Sequence, residues 1–308
     1  MKVLLSCPPM IKNFSLFEEK FKEKDIEVVI PDFNQTLSEE ELMELLPTMD
    51  AWIIGDDLTN EKIISNAVKG KFKAAIKWGV GVDNIDFESF KKYGIPVTNT
   101  PNMFGADVAE IALSFLLSIF RFTHLVDKEL RNDHWIKPSG NSLVGKNVGV
   151  LGYGDIGKET VKRLLAFDTN ICVYDPYADK KRTEVSFLDF PNNIENLDAL
   201  IVTCSLNKST NKIINASILN KMKDGVKLVN VSRGQIIDEE ALKLALNKGK
   251  VSAVGLDVFE NEPISMNNSL LESENSIFGT HNSSNTIEGV IRASEEAITK
   301  LFEFLKVK

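Results

Sequence analysis

The chain has 308 residues, 43% of them hydrophobic, enough for two ordinary domains that each bury their own core. A formal charge of −8 with no concentrated basic face argues against a nucleic-acid partner. The opening run MKVLLSC, leading into Pro8 and Pro9, is too short and too weakly flanked for a signal peptide, and no later stretch reaches the length of a membrane span. We therefore expect a cytoplasmic protein with no membrane partner.

The first third alternates short apolar runs with amphipathic ones: VLLSC, FSLFEEKFKEK, IEVVI, LSEEELMELL, AWIIG, NEKIISNAV and FKAAIKW. That β-α rhythm predicts a parallel sheet covered by helices on both faces. After PVTNTPN it gives way to one long helical stretch, about Ala106 to His134, ending near Trp135 and a Pro-Ser-Gly loop. The rhythm resumes at KNVGVLGYGDIG. The last helix, about Thr286 to Lys306, carries Ile287, Val290, Ile291, Ala297, Ile298, Leu301 and Leu305 at helical spacing and is expected to return to the first domain. The fold class read from this is α/β with two doubly wound parallel-sheet domains, one of residues 1–98 plus 287–308 and the other of residues 99–286.

In GVLGYGDIG the residues Gly152, Gly154 and Gly157 follow an apolar strand and open a helix, the context a dinucleotide-binding turn requires. The first glycine permits the tight turn, the second lets backbone approach a pyrophosphate, and the third lets helix pack closely on strand. The next strand, NICVYD, ends in Asp175, where a carboxylate can accept hydrogen bonds from the adenosine ribose and repel the extra phosphate of NADP. NAD is thus favoured as cofactor, while Lys180, Lys181 and Arg182 just downstream keep NADP open.

Three further segments carry chemistry. KLVNVSRGQIIDEEAL reads as a strand ending in Ser232, Arg233 and Gly234, then a helix whose first turn carries Asp238, Glu239 and Glu240. A guanidinium at the carboxyl end of a strand suits bidentate capture of a carboxylate. VSAVGLDV, apolar but for Asp257, runs into FENEP and places Glu260 and Glu262 in a loop. His281 closes the short strand of SIFGTH, whereas His124 and His134 belong to the linking helix and its end. Reduction of a keto acid needs a cation for the carboxylate, a proton donor for the carbonyl oxygen and a group that keeps the donor protonated. Arg233, His281 and Glu262 can supply them, since a carboxylate beside imidazole raises its pKa above the ordinary value of about 6.5. The cysteines Cys7, Cys172 and Cys204 each lie in or beside an apolar run and share no metal-ligand spacing, so they read as buried thiols, and no metal is expected.

Taken together, GVGVDNID (79–86), NTPN (99–102), VAE (108–110), LVGKNVGVLGYGDIG (143–157), NVSRGQIIDEEAL (230–242), GLDVFENEP (255–263) and THNSSNT (280–286) resemble the D-isomer-specific 2-hydroxyacid dehydrogenase family, which includes phosphoglycerate, D-lactate, glyoxylate and formate dehydrogenases. The resemblance implies a flavodoxin-like substrate domain, a Rossmann NAD-binding domain and an NAD-dependent oxidoreductase interconverting a small 2-keto acid and its D-2-hydroxy acid, with substrates of the phosphoglycerate, hydroxypyruvate or glyoxylate type. It implies that Arg233, Glu262 and His281 form the catalytic group. It also implies that Asp155, Ile156, Cys204 and Ser232 join the three glycines and Asp175 in binding the cofactor, with Asp257 holding the nicotinamide carboxamide. Substrate binding would fall to Trp78, Gly79, Asn99 and the backbone N–H groups of Val80 and Gly81. A homodimer is implied, with the segment after residue 100 at its interface, and no C-terminal regulatory module is expected.

The chain departs from the family pattern in reading Thr280, His281, Asn282, Ser283, Ser284 around the histidine. It also reads IIGDDL after the third strand, and Lys77 and Trp78 before the Gly-x-Gly turn, where phosphoglycerate enzymes carry arginines. Those losses weigh against a phosphorylated substrate. Asp56, Asp57, Lys77, Trp78 and Met103 are expected to shape the pocket, Trp78 and Met103 being open to a core-packing role instead. The alternative function is an NAD(H)-sensing binding protein of the corepressor type, which shares fold and triad; a non-catalytic relic would not need to keep Arg233 and His281.

Overall fold

The computed structural model describes residues 1–307 and divides into two compact units, residues 1–103 with 285 onward, and residues 104–284. The first holds a five-stranded, wholly parallel sheet of β1 (Lys2–Leu5), β2 (Glu27–Val29), β3 (Ala51–Ile54), β4 (Ala74–Lys77) and β5 (Val97–Asn99), in the order β2-β1-β3-β4-β5. That is the flavodoxin-like order. β3 and β4 are buried at every position because helices cover both faces, so these strands read as continuous apolar runs. The helices are α1 (Pro8–Lys12), α2 (Glu18–Lys22), α3 (Glu39–Leu45), α4 (Glu61–Ala67) and α5 (Phe87–Lys92).

Local signals set their starts. Pro8 opens α1 at a position needing no N–H, Ser38 and Glu41 form a reciprocal capping box on α3, and Asn60 and Asp86 cap α4 and α5. The run FSLFEEKFKEK is not one helix: a 3-10 turn at Phe14–Leu16 precedes α2.

The second unit holds a seven-stranded parallel sheet of β6 (Asn147–Leu151), β7 (Asn170–Tyr174), β8 (Ser186–Phe187), β9 (Ala199–Val202), β10 (Val226–Asn230), β11 (Val251–Leu256) and β12 (Ile277–Phe278), in the order β12-β11-β10-β9-β6-β7-β8. The order reverses between β6 and β9, the switch point at which open α/β sheets bind ligands beyond the carboxyl ends of their strands. Its helices are α6 (Gly105–Arg121), α7 (Thr123–Arg131), α8 (Asp155–Leu165), α9 (Ala216–Lys221) and α10 (Glu239–Asn247). α6 packs on α8, β10 and β11. Gly255 makes room for it, since a Cβ there would lie 2.7 Å from Cβ of Phe115.

The single helix expected from 106 to 134 is corrected to two. Phe122 takes a left-handed conformation (φ 57°, ψ 31°) and donates its N–H to Ser118, which closes α6, and α7 leaves at a 69° bend. A glycine or asparagine normally marks such a stop, so a phenylalanine there gives the sequence no sign of it. Among the described residues no single helix is long and apolar enough to cross a membrane, though α6 and α7 would pass together as a bent pair.

The final helix, α11 (Ile287–Leu305), is capped by Thr286 and packs on β3 and β4 in the first unit, as its apolar stripe predicts.

Candidate active site

The glycine turn separates two kinds of requirement. At Gly152 (φ 102°) a Cβ would lie 2.5 Å from the Cys204 nitrogen, and at Gly157 it would lie 2.1 Å from the Gly152 carbonyl, so the fold itself forbids side chains there. At Gly154 a Cβ would meet no atom within 4 Å. The protein does not need that glycine for packing; a ligand brought against the backbone does, which fits a pyrophosphate over the first turn of α8. Asp155 and Ile156 begin that turn, whose backbone donors lack intrahelical partners by helical geometry. The Asp155 carboxyl lies against Gly105 of α6, where a Cβ would come within 2.5 Å of it.

Asp175, at the end of β7, accepts the Tyr153 N–H (2.7 Å) and the Tyr177 N–H (2.8 Å). It therefore fixes the turn that it shares with the glycines as well as presenting charge beside it. Cys204 and Ser232 follow β9 and β10 at the same edge, joined by a hydrogen bond from the Ser232 hydroxyl to the Cys204 carbonyl. Burial pushes the Cys204 thiol up to about 12, as it does Cys7, so neither is a nucleophile.

Arg233 stands three residues past β10, in extended backbone at the entry of a 3-10 turn, and donates Nη1 to the Ser232 carbonyl (2.9 Å). The buried Asn230 clamps this bend, its amide nitrogen donating to the Arg233 carbonyl (2.9 Å) and its amide oxygen accepting the Ser232 N–H (3.0 Å). Gly234 admits the next loop: a Cβ would lie 1.9 Å from the Phe259 carbonyl carbon.

Glu262 is anchored by accepting the Phe259 N–H at Oε1 (2.9 Å), and its Oε2 lies 2.7 Å from Nδ1 of His281. The imidazole is about one-third exposed. His281 is left-handed (φ 55°), a conformation that an ordinary residue keeps only when its surroundings impose it. Asp257 imposes it: its carbonyl accepts the His281 N–H (2.7 Å), and its buried carboxylate accepts the N–H groups of Asn282 (3.1 Å) and Ser283 (2.9 Å) and the Ser283 hydroxyl. These bonds make Asp257 the frame of the histidine loop.

The expected substrate-binding residues lie in the first unit, at the carboxyl ends of β4 and β5. Gly79 (φ 115°) donates its N–H to the fully buried Thr100 hydroxyl (2.8 Å), and the Asn99 amide donates to the Val80 carbonyl (2.9 Å). Two of the expected pocket residues are placed otherwise. Trp78 is 6% exposed and donates its indole N–H to Ser294 of α11 (3.0 Å), and Asp57 is wholly buried, accepting from Ser6 and from the Leu37 N–H (2.8 Å). Both side chains bond within the first unit.

Asn230, Thr100 and Thr203, whose hydroxyl donates to the Gly152 carbonyl (3.0 Å), escaped the sequence reading. The signal for Thr203 is a small polar residue just past an apolar strand, ALIV.

Residues 113–283 match the sequence model of the family described as "D-isomer specific 2-hydroxyacid dehydrogenase, NAD binding domain", which covers more than half of the chain. The chain is 36% identical over 278 residues to hydroxypyruvate reductase from Thermotoga maritima, covering 89% of this chain and 90% of that one. It is 35% identical over 257 residues to D-3-phosphoglycerate dehydrogenase from Archaeoglobus fulgidus, covering 82% of this chain but only 49% of that one, so it spans about half the length of that relative. The solved structure of a glyoxylate reductase from Paecilomyes thermophila superposes with a TM-score of 0.85 at 26% identity, over 99% of this chain and 96% of that one. The chain belongs to the D-isomer specific 2-hydroxyacid dehydrogenase family, and its second unit is an NAD-binding domain.

Proposed function

We propose that the chain reduces a small, unphosphorylated 2-keto acid of the hydroxypyruvate or glyoxylate type to its D-2-hydroxy acid, with NADH as reductant. The observation that carries the reading is the 2.7 Å pair between His281 Nδ1 and Glu262 Oε2, held by the Phe259 N–H on one side and by Asp257 on the other. The bound reduced nicotinamide supplies the hydride. His281 supplies the proton: Glu262 orients the ring through Nδ1 and stabilises its charged form, so Nε2 delivers the proton to the carbonyl oxygen as that oxygen gains negative charge. Arg233 offers a planar guanidinium to the substrate carboxylate. Gly152, Gly154, Gly157, Asp155, Ile156, Asp175, Cys204 and Ser232 hold the cofactor.

The unphosphorylated class is supported by Lys77. The residue is 4% exposed, and its ammonium donates to the Gly55 carbonyl (2.5 Å) and pairs with Asp56 (3.3 Å). The cation near the Gly-x-Gly turn is thus already paired within the chain and its ammonium is not free to hold a phosphate. The relative matched over nine-tenths of its length is a hydroxypyruvate reductase. We further propose a cytoplasmic homodimer that uses the segment after residue 100, where Leu130, Trp135 and Val144 are exposed apolar side chains.

His281→Ala tests the reading. NADH oxidation by hydroxypyruvate should fall by about a hundredfold or more, with NADH binding nearly unchanged. Retained turnover would remove His281 from the mechanism.

A further inference from the structure

Two carboxylates that the reading above leaves unused face each other beside the Glu262 loop. Glu260, two residues before Glu262, sends its N–H to the Glu239 carboxylate (3.2 Å), while Glu239, the first residue of α10, sends its N–H to the Glu260 carboxylate (3.1 Å). Each side chain thus accepts the other's backbone N–H. The Glu260 carbonyl is bound as well, accepting from the Gln235 amide (2.9 Å). Like charges this close repel, and the fold offsets them with cations and a donor: Lys212 pairs with Glu260 (3.0 Å), Lys243 with Glu239 (3.2 Å), and the Asn268 amide donates to Glu239 (2.7 Å). With those partners the Glu239 carboxyl stays below its ordinary value in spite of the desolvation that burial imposes.

A lone stabilising bond would not require two acids held together against their repulsion. The arrangement joins the segment directly after Arg233 to the segment directly before Glu262, and Gly234 brings the two backbones into contact at that point. We propose that Glu239 and Glu260 are positioning residues for the reaction, a reciprocal brace that sets the Glu262 carboxylate against His281 and ties its loop to that of Arg233. The proposal rests on the assignment of Glu262 and His281 made above. Neither brace residue meets the substrate; both act through Glu262.

The test is a double-mutant cycle on keto-acid reduction with four proteins: the parent, Glu260→Ala, Glu262→Gln and the double variant, with Glu260→Gln as the conservative control. Glu260→Ala should lower kcat about tenfold with the NADH Kd unchanged, and should move the alkaline fall of the rate to lower pH, in the same direction as Glu262→Gln. The double variant should be no slower than Glu262→Gln alone, because both changes remove one interaction. Glu260→Gln keeps the oxygen that accepts the Glu239 N–H and should recover most of kcat. Multiplicative losses in the double variant, or an unmoved pH profile with Glu260→Ala, would overturn the brace. If Glu260→Ala fails to fold, Glu239→Ala, which removes the oxygen that accepts the Glu260 N–H, takes its place in the cycle under the same criteria. If Glu262→Gln itself leaves kcat and the pH profile unchanged, the assignment of Glu262 fails rather than the brace alone.

Discussion

At Asp175 one side chain serves two ends, and this makes its role separable by experiment. Its carboxylate holds the Tyr153 and Tyr177 N–H groups, and in the proposed role it repels the 2′-phosphate of NADP. Asp175→Ala should raise the kcat/KM ratio of NADPH to NADH by about tenfold or more, read by steady-state kinetics with both cofactors; an unchanged ratio would show that the adenosine end is discriminated elsewhere. The acid was legible in the sequence because a strand and a glycine turn precede it at a fixed distance. The bonds that hold it were not, because backbone donors leave no mark on composition. Asp257 shows the same limit. Its single charge in an apolar strand was visible, but its grip on the left-handed His281 loop appears only once the chain is folded.

Glycines decide what happens between elements, and they divide into two classes that sequence spacing alone cannot distinguish. Gly234→Ala would drive a methyl into the Phe259 carbonyl and press the loop carrying Glu262 away, so it should cost about 1–3 kcal/mol of stability and lower kcat with it. Gly154→Ala fills space the protein leaves open, so thermal unfolding should stay within about a degree of the parent while NADH binding weakens severalfold. A large loss of Tm in Gly154→Ala with NADH affinity intact would overturn the division. The strands were readable because their chemistry is local, short apolar runs alternating with amphipathic ones, whereas the caps Ser38, Asn60 and Asp86 came from the structure. The break at Phe122 was not, since a left-handed residue without glycine or asparagine is imposed by its surroundings.

For the whole molecule, the doubled β-α rhythm pointed to two parallel sheets, while their strand orders came from the structure, in which α11 packs on β3 and β4. Assembly is the next question at this scale. Sedimentation at micromolar concentration should give about twice the mass of one chain, and replacing the exposed Trp135 and Leu130 by serine should shift that mass toward one chain; a monomeric parent would refute the dimer. Substrate choice rests on charge the sequence places in view but does not pair: Lys77 is expected to shape the pocket, and the fold turns it to Gly55 and Asp56.

The most direct measurement is NADH oxidation by the purified chain with hydroxypyruvate, glyoxylate, pyruvate and 3-phosphohydroxypyruvate compared at equal concentrations. The geometry of the His281 and Glu262 pair and the neutralised Lys77 predict turnover with hydroxypyruvate or glyoxylate and a kcat/KM at least tenfold lower for the phosphorylated acid. A preference for 3-phosphohydroxypyruvate, or NADH binding without oxidation by any of the four, would contradict it.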